Sequence, residues 1–393
     1  MRVAHTCQRA VAVVTLSIGA ALLMHTAPAH AETPGTLIAE YPLPDGTRGM
    51  SNADGSVIEY WMRGSNETTQ PASGALYVPA GTPPPSGWPI IAYDHGTSGL
   101  GPGCGGQSDP LEHPAQTIAG DEDALLQYLT SQGFAVVAPD YLGLGRFDTG
   151  PHPYLGIDTE ATATIDLLRV ARAAHPELSR TWAVIGASQG GQAALGTGHL
   201  QATDAPDLDF RGTIAIDPES DVEKLAPLFG PGTLTPPIIA DGFMDLFVSI
   251  LAGLRAARPE VSVDRYLTPE GRSVLDSVGT MCTPQIMDRV RGLSIGQVLA
   301  QPLSGEPVRA AVDAYMTVPV SGYDAPILLC INTTDTTVPS PLHGVLVAQF
   351  AAAGVDFHTV LGTGKHTQLN PQMWTAIEQF VARIQSSQTS DNP

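Results

Sequence analysis

A serine at position 188 lies where its hydroxyl can become a nucleophile. Residues 186–190 are Gly-Ala-Ser-Gln-Gly, a G-x-S-x-G pattern. The apolar run 182–185 before them predicts a buried strand, and the small residues after them predict a helix. In such a sharp turn the serine oxygen is exposed, and the N-terminus of the helix faces any negative charge that develops beside it. The pattern therefore indicates nucleophilic catalysis by Ser188.

A serine hydroxyl is a weak nucleophile near neutral pH. It needs a histidine base and an acidic residue that orients the histidine, in the chain order serine, acid, histidine for this kind of turn. Asp335 follows the apolar run 326–331, which predicts a late strand. Asp324 precedes that strand and Asp356 lies on a predicted helix-to-strand turn, so both fit less well. We therefore expect Asp335 to be the acid.

The base is expected on a loop after the last strand of the sheet. His366 meets this condition, because it follows the strand predicted at residues 357–361. His343 begins a predicted helix and His358 lies inside a predicted strand, where a packing role is more common. Ligands of open parallel sheets bind at the carboxyl ends of the strands. Ser188, Asp335 and His366 all follow predicted strands, so the sheet is expected to bring them together.

Two backbone N–H groups are needed to bind the oxyanion that forms when an acyl carbonyl is attacked. One is expected from Gln189, directly after the nucleophile. The other is expected from the loop after the strand predicted at residues 89–93, where His95-Gly96-Thr97 lies. We favour Thr97, with His95 as the second choice. A glycine turn without a catalytic role is the alternative for this loop.

The segments around these residues alternate between helical patterns and β-branched runs, which predicts βαβ units and a mostly parallel sheet. Turn signals at Asp45-Gly46 and Asp54-Gly55 predict antiparallel edge strands within residues 37–62. Further strands are predicted at residues 75–78, 89–93, 134–138, 182–185, 213–216, 326–331 and 357–361. Helices are predicted at residues 121–132, 159–174, 342–353 and 371–384. The chain is therefore expected to be an α/β protein with helices flanking the sheet.

The alternation stops between residues 218 and 322. Helical patterns such as 238–254 and 294–300 occur there without a clear strand. We expect this segment to be a mostly helical cap over the carboxyl edge of the sheet, inserted in a single domain that spans residues 32–393. The segment 238–254 is apolar nearly all round, so it is either a buried packing helix or a wall over an acyl site.

The first 31 residues resemble an export signal. Arg2 and Arg9 bracket a short charged region, residues 10–24 are apolar, and a small-x-small cleavage site ends at Ala31. The apolar run is too short for a comfortable membrane span. We therefore predict a secreted protein that is cleaved near Ala31 and is not stably inserted in a membrane.

The formal net charge of the 393-residue chain is −20. An acidic surface repels nucleic acid and anionic membranes, so neither is an expected partner. We expect no cofactor and no metal. Three cysteines follow the predicted signal, Cys104, Cys282 and Cys330, and an odd number in an oxidising compartment suggests one bridge and one buried thiol.

Several motifs together resemble one family, the secretory lipases of fungi and actinobacteria, typified by the yeast lipase of the A type. They are residues 186–191, Pro-Asp-Tyr-x-Gly-x-Gly at 139–145, Met-Cys-Thr-Pro-Gln at 281–285, and the spaced Asp335 and His366. The likeness runs from about residue 37 to about residue 384. It implies an α/β-hydrolase fold, hydrolysis of carboxylic esters, and a disulfide between Cys104 and Cys282.

The function expected from sequence is thus that of a secreted lipase or esterase that forms an acyl-enzyme on Ser188 and acts on small-molecule or lipid esters. An acyltransferase or a serine peptidase with the same triad is an alternative from within enzymes. A catalytically silent binding protein of the same fold is the alternative from another class. The acyl chain, the alcohol, any lid motion of the cap and the oligomeric state are left open.

Overall fold

A nine-stranded sheet runs through the described chain. The computed structural model describes residues 32–110, 122–234 and 240–390, so the predicted signal peptide at residues 1–31 lies outside these ranges. The strands are β1 (Thr36–Pro42), β2 (Ala53–Arg63), β3 (Thr69–Pro79), β4 (Trp88–Asp94), β5 (Ala135–Pro139), β6 (Leu178–Ala187), β7 (Asp209–Ile216), β8 (Ile327–Asn332) and β9 (Phe357–Gly362).

The strand order in the sheet is β1-β2-β3-β5-β4-β6-β7-β8-β9. From β5 to β9 every neighbouring pair is parallel, whereas β1, β2 and β3 form an antiparallel edge that pairs with β5. The carboxyl ends of six strands therefore face one edge of the sheet. The prediction of an α/β fold with a mostly parallel sheet is confirmed.

One of the two predicted edge turns is wrong. Gly46 does lie in a turn with a left-handed φ of +73°, but Asp54 and Gly55 lie inside β2, opposite Val78 and Tyr77 of β3. The 11-residue pairing of β2 with β3 provides a ladder of hydrogen bonds along the whole strand. Such tertiary pairing outweighs the local preference of Asp-Gly for a turn.

Helices cover both faces of the sheet. They are α1 (Glu122–Ser131), α2 (Ile157–Ala174), α3 (Gln189–Asp204), α4 (Ala240–Ala257), α5 (Pro269–Val278), α6 (Thr283–Val290), α7 (Ile295–Val298), α8 (Val308–Met316), α9 (Ser340–Ala353) and α10 (Pro371–Ser390). Alternate residues of β4 pack against the two different helical layers, one on each face of the sheet. Ile90 and Ala92 pack with α2 and α3, whereas Ile91 and Tyr93 pack with α1 and α10. Since successive side chains of a strand point to opposite faces, the buried central strands are apolar throughout.

The segment between β7 and β8 carries α4 to α8 and, in its described residues, no strand. These helices share an apolar core of their own, which also takes in Leu100, Tyr154 and Leu155 from the sheet domain. Backbone hydrogen bonds join the segment to the loop after β4, because Leu100 N donates to Met281 O and Thr283 N donates to Ser98 O, each at 2.9 Å. We propose that this segment is the cap expected from sequence.

A disulfide links the same two parts of the chain. Cys104, in the loop after β4, is bonded to Cys282 at the start of α6. This is the pairing that the family resemblance implies. Cys330 is a free thiol buried in β8, where burial raises the pKa of the thiol to about 12. A thiol with so little thiolate near neutral pH is a poor nucleophile.

Replacing Cys104 and Cys282 together with serine is expected to lower the free energy of unfolding by about 4–5 kcal/mol. The bridge spans a sequence separation of 178 residues, and opening so long a loop restores much conformational freedom to the unfolded chain. Denaturant unfolding of the non-reduced protein measures the change. The control is Cys330→Ala, which keeps the bridge and should cost roughly 1 kcal/mol. A double variant no less stable than this control would contradict the expectation.

Candidate active site

Ser188 lies on a tight turn between β6 and α3, with φ 58° and ψ −123°. Its backbone N–H donates to Ile216 O of β7 at 2.9 Å. A Cβ at Gly186 would lie 2.0 Å from Gly190 O, and a Cβ at Gly190 would lie 1.9 Å from Asp94 O. Both positions therefore require glycine, because any side chain would collide with backbone. The turn predicted from the G-x-S-x-G pattern is present.

The side chains of the three predicted catalytic residues lie in one hydrogen-bonded line. His366 Nε2 lies 2.8 Å from Ser188 Oγ, and His366 Nδ1 lies 2.6 Å from Asp335 Oδ2. The other carboxylate oxygen of Asp335 accepts the backbone N–H groups of Thr337 and Val338, at 2.8 and 3.2 Å. The Asp335 carboxylate is thus held from both sides and fixes the imidazole toward the serine.

The surroundings of His366 favour its charged form. Burial opposes a charge on the imidazole, but the hydrogen bond and charge of Asp335, together with the charges of Asp217 and Glu219, outweigh it and raise the pKa of His366. A base in this position takes a proton from Ser188 only while it is neutral. The raised pKa makes His366 a better proton acceptor during the reaction, and it confines the reactive form to pH values near or above neutral.

The alternative acids and bases are not part of this hydrogen-bonded line. Asp324 and Asp356 are exposed, and Asp324 accepts a hydrogen bond from Gln201. His343 is buried, with Nε2 3.1 Å from the carbonyl of Pro218, and His358 is exposed on β9. None of these four residues contacts the line of Ser188, His366 and Asp335 through a hydrogen bond among the described residues.

Gln189 is the first residue of α3, so its backbone N–H has no acceptor within the helix. Its side-chain amide is fixed beneath the turn, where Nε2 donates to His152 Nε2 and to Glu160 Oε1, both at 2.7 Å. All three side chains are buried. Gln189, which is predicted to supply one oxyanion donor, is therefore fixed by the hydrogen bonds of its side chain.

The two candidates for the second oxyanion donor differ in what their side chains contact. Thr97 Oγ1 lies 3.2 Å from Glu219 Oε1, and the same carboxyl oxygen lies 3.3 Å from Ser188 Oγ. The ring of His95 instead has Nδ1 2.7 Å from Gly96 O and packs at a tilt against Tyr141, with the two ring centroids 4.4 Å apart. Thr97 and Ser188 thus contact the same carboxyl oxygen, whereas the His95 ring contacts Gly96 and Tyr141.

Two polar residues that sequence reasoning missed hold the loop of His366. Asp217 accepts the side-chain and backbone N–H groups of Asn332, at 2.7 and 2.6 Å, and the backbone N–H of Thr367 at 2.7 Å. Asn332 Oδ1 accepts the N–H of Gly364 at 2.9 Å. The loop is therefore anchored on both sides of the histidine.

Ligand atoms of Asp217, Asp335 and His366 lie within 4.8 Å of one another, so their geometry could hold a metal ion. Each of these groups already has hydrogen-bond partners within the protein, as described above. Protein donors satisfy the two carboxylates, and we assign the cluster to the orientation of His366.

Glu219 is the third residue that sequence reasoning missed. It follows β7, is 2 % exposed, and accepts a hydrogen bond from the Tyr154 hydroxyl at 2.7 Å. Burial raises the pKa of Glu219 to about 7. No motif marks this residue, but its place directly after a parallel strand, at the edge where Ser188 also lies, is a signal that could have identified it.

Comparison with known proteins identifies relatives of the whole architecture. A family model described as "Alpha/beta hydrolase family" matches residues 95–377. Lipase A of Candida antarctica, in its closed state, has 18% identity and a TM-score of 0.74, over 90% of this chain and 83% of that one. The rice cell wall degrading esterase LipA of Xanthomonas oryzae has 21% identity and a TM-score of 0.69, over 89% and 96% of the two chains. No curated protein matches the sequence.

Asp335→Asn is expected to slow covalent labelling of Ser188 by a fluorophosphonate roughly a thousandfold or more. The amide favours the wrong tautomer of His366, so Nε2 no longer accepts the seryl proton. Labelling of purified protein over time, followed by mass spectrometry of the Ser188 peptide, measures the rate. Asp324→Asn is the matched control and should label as the unchanged protein does. A slow Asp324 variant with a normal Asp335 variant would overturn the choice of acid.

Proposed function

Since the chain belongs to the alpha/beta hydrolase family, we propose that it is a carboxylic-ester hydrolase of the lipase or esterase type. The observation that carries the proposal is the hydrogen-bonded line from Ser188 Oγ through His366 to Asp335, with distances of 2.8 and 2.6 Å. A hydroxyl activated in this way attacks acyl carbonyls and forms an acyl-enzyme.

In the first half of the proposed reaction, Ser188 Oγ bonds to the carbonyl carbon of the ester. His366 Nε2 takes the seryl proton as this bond forms, and the electrons of the carbonyl double bond move onto its oxygen. We assign the backbone N–H groups of Gln189 and Thr97 to that oxyanion. His366 then gives its proton to the alcohol oxygen as the old ester bond breaks, which leaves the acyl group on Ser188.

In the second half, water replaces the alcohol. The oxygen of the water molecule attacks the acyl carbon while His366 accepts a proton from that water. His366 then gives the proton to Ser188 Oγ as the carboxylic acid leaves. The Asp335 carboxylate stabilises the imidazolium that forms in each half. Its two hydrogen bonds from backbone N–H groups support this role, because a carboxylate that accepts such bonds is stabilised in its charged form.

The two solved structures described above are those of a lipase and an esterase. At 18% and 21% identity the likeness shows the fold alone. The assignment to ester hydrolysis therefore depends on the triad of this chain. The completeness of the triad argues against a silent binding protein, since a binding role places no requirement on these three side chains. We propose a small-molecule or lipid ester as the substrate.

Ser188→Ala is expected to reduce hydrolysis of p-nitrophenyl esters on the order of a thousandfold or more, because only substrate binding and oxyanion contacts then remain. Rates over a series from acetate to palmitate, with unchanged unfolding behaviour as the control for folding, measure the loss and the preferred acyl length. An alanine variant that keeps most of the activity would refute a mechanism through Ser188.

We further propose that the chain is exported and that residues 1–31 are removed. The charged start, the apolar run and the small-x-small site support this, and so does the Cys104–Cys282 disulfide, since such bonds persist in oxidising compartments. None of the helices in the described ranges is long and apolar enough to cross a membrane.

Export predicts a mature protein whose first residue is Glu32. Expression of the full chain in a secreting bacterial host, followed by N-terminal sequencing of the protein in the culture medium, tests this. A variant with Ala29 and Ala31 both replaced by bulky residues should be retained or cleaved elsewhere. Cell-associated protein that still carries residues 1–31 would contradict the proposal.

A further inference from the structure

The carboxyl group of Glu219 lies beside the nucleophile but has no part in the mechanism above. Its Oε1 atom lies 2.7 Å from the Tyr154 hydroxyl, 3.2 Å from Thr97 Oγ1 and 3.3 Å from Ser188 Oγ. The backbone N–H of Glu219 donates to the carbonyl of Ser188 at 3.2 Å. Glu219 therefore contacts both the turn that carries the nucleophile Ser188 and the loop that carries Thr97, a proposed oxyanion donor.

The number of protons around Ser188 Oγ limits how these groups can bond. The seryl hydroxyl has one proton, and the productive arrangement gives it to His366 Nε2 at 2.8 Å. That arrangement leaves no seryl proton for the 3.3 Å contact with Glu219 Oε1. If Glu219 is a carboxylate, one of two things follows. It competes with His366 for the seryl proton, or its Oε1 and Ser188 Oγ face each other as two lone-pair-bearing oxygens with no proton between them. If Glu219 is a neutral acid, the competition is absent.

We propose that Glu219 is a further catalytic residue of this site and that its neutral, protonated form is the productive one. As a neutral acid it leaves the seryl proton to His366 and puts no charge beside the oxyanion. As a carboxylate it draws the seryl proton away from His366 and repels the oxyanion, and such charge effects are strong in a site that excludes water. This inference rests on the proposed ester hydrolysis by Ser188.

The groups around Glu219 bring the pKa of its carboxyl close to neutral pH. Burial raises the pKa of Glu219 to about 7; the Tyr154 hydroxyl and the charge of His366 oppose the shift, and Glu160 on α2 adds to it. Tyr154 stays neutral, because burial raises its pKa well above 10, and the charge of Asp245 on α4 acts in the same direction. The negative charge of Glu219 in turn raises the pKa of His366. The two groups therefore titrate as a coupled pair.

A histidine base alone gives a rate that rises with pH and then stays level. With Glu219 as proposed, kcat/KM of the unchanged protein rises as His366 loses its proton and falls as Glu219 loses its own. Above the pKa of Glu219 the neutral form decreases about tenfold for each pH unit. The expected profile is therefore bell-shaped, with its maximum near neutral pH.

Glu219→Gln tests the proposal, because glutamine has the shape of the neutral acid and cannot ionise. The variant should show no decline toward pH 9, and at pH 9 it should exceed the unchanged protein at least about tenfold. Its rising limb should not move to lower pH, since Glu219 is already neutral in the productive form at acid pH. Glu223→Gln is the matched control: Glu223 is also buried, but its carboxyl faces Thr317.

The measurement is kcat/KM from pH 5 to pH 9 with one p-nitrophenyl ester, followed at a wavelength where the product absorbs equally at every pH. The Ser188→Ala protein supplies the blank at alkaline pH. A Glu219→Gln profile that declines as that of the unchanged protein does would overturn the inference. So would a loss of activity by one factor at all pH values, because that is what a purely structural role produces.

A second variant decides the matter if Glu219→Gln does not fold. Tyr154→Phe removes the hydroxyl that stabilises the carboxylate at 2.7 Å. The pKa of Glu219 should then rise, and the alkaline decline should move to higher pH. A decline that stays in place, or moves to lower pH, contradicts the inference.

A wrong proposed function and a wrong role for Glu219 give different experimental results. If the unchanged protein hydrolyses no ester and a fluorophosphonate leaves Ser188 unlabelled, the proposed function fails and the inference fails with it. If the unchanged protein is active and Ser188 is labelled, but the pH profile does not respond to Glu219→Gln or Tyr154→Phe, the inference alone is wrong.

Discussion

The close approach of backbone at the end of β6 is the constraint on which the site depends. Only glycine fits at positions 186 and 190, where a Cβ would lie 2.0 and 1.9 Å from neighbouring carbonyl oxygens. This contact allows Ser188 to adopt a φ of 58°, a conformation that costs a non-glycine residue roughly 1–3 kcal/mol. The parallel strands packed between two helical layers offset this cost. Because those strands end at one edge, the loops after β7 and β9 contact Ser188 directly, and the loops after β4 and β8 reach it through Glu219 and His366.

Buried polar side chains give this edge its rigidity. Beneath the turn, His152 and Glu160 hold the amide of Gln189, and beside it Asp217 and Asn332 hold the loop that carries His366. Polar groups out of contact with water must be paired, so these networks admit few alternative arrangements. The cap is tied to the same region through the disulfide and the backbone pairing beyond β4. The proposed chemistry is thus supported by contacts from almost every part of the described chain.

Sequence patterns predicted the local features well. The strands around Ser188, the helices between them and the break in alternation after β7 all follow from periodicity and from glycine positions. The disulfide pairing came from family resemblance. What the patterns did not show depends on contacts between distant segments. Asp54-Gly55 has the residues of a turn but lies in a strand, because β3 pairs along it. Glu219 has no motif around it, and its meaning arises only when Tyr154 and Thr97, far away in the chain, meet its carboxyl group.

In the proposed mechanism Ser188 carries the acyl group of the substrate. Reaction with p-nitrophenyl N,N-dimethylcarbamate tests it most directly, because a carbamoyl group on a serine leaves far more slowly than an ordinary acyl group. A nucleophilic Ser188 should give the rapid release of one p-nitrophenolate per protein molecule and, by peptide mapping, a dimethylcarbamoyl group on Ser188 that disappears slowly in water. Release without a modified residue, or a carbamoyl group on another side chain while Ser188 stays free, would contradict it.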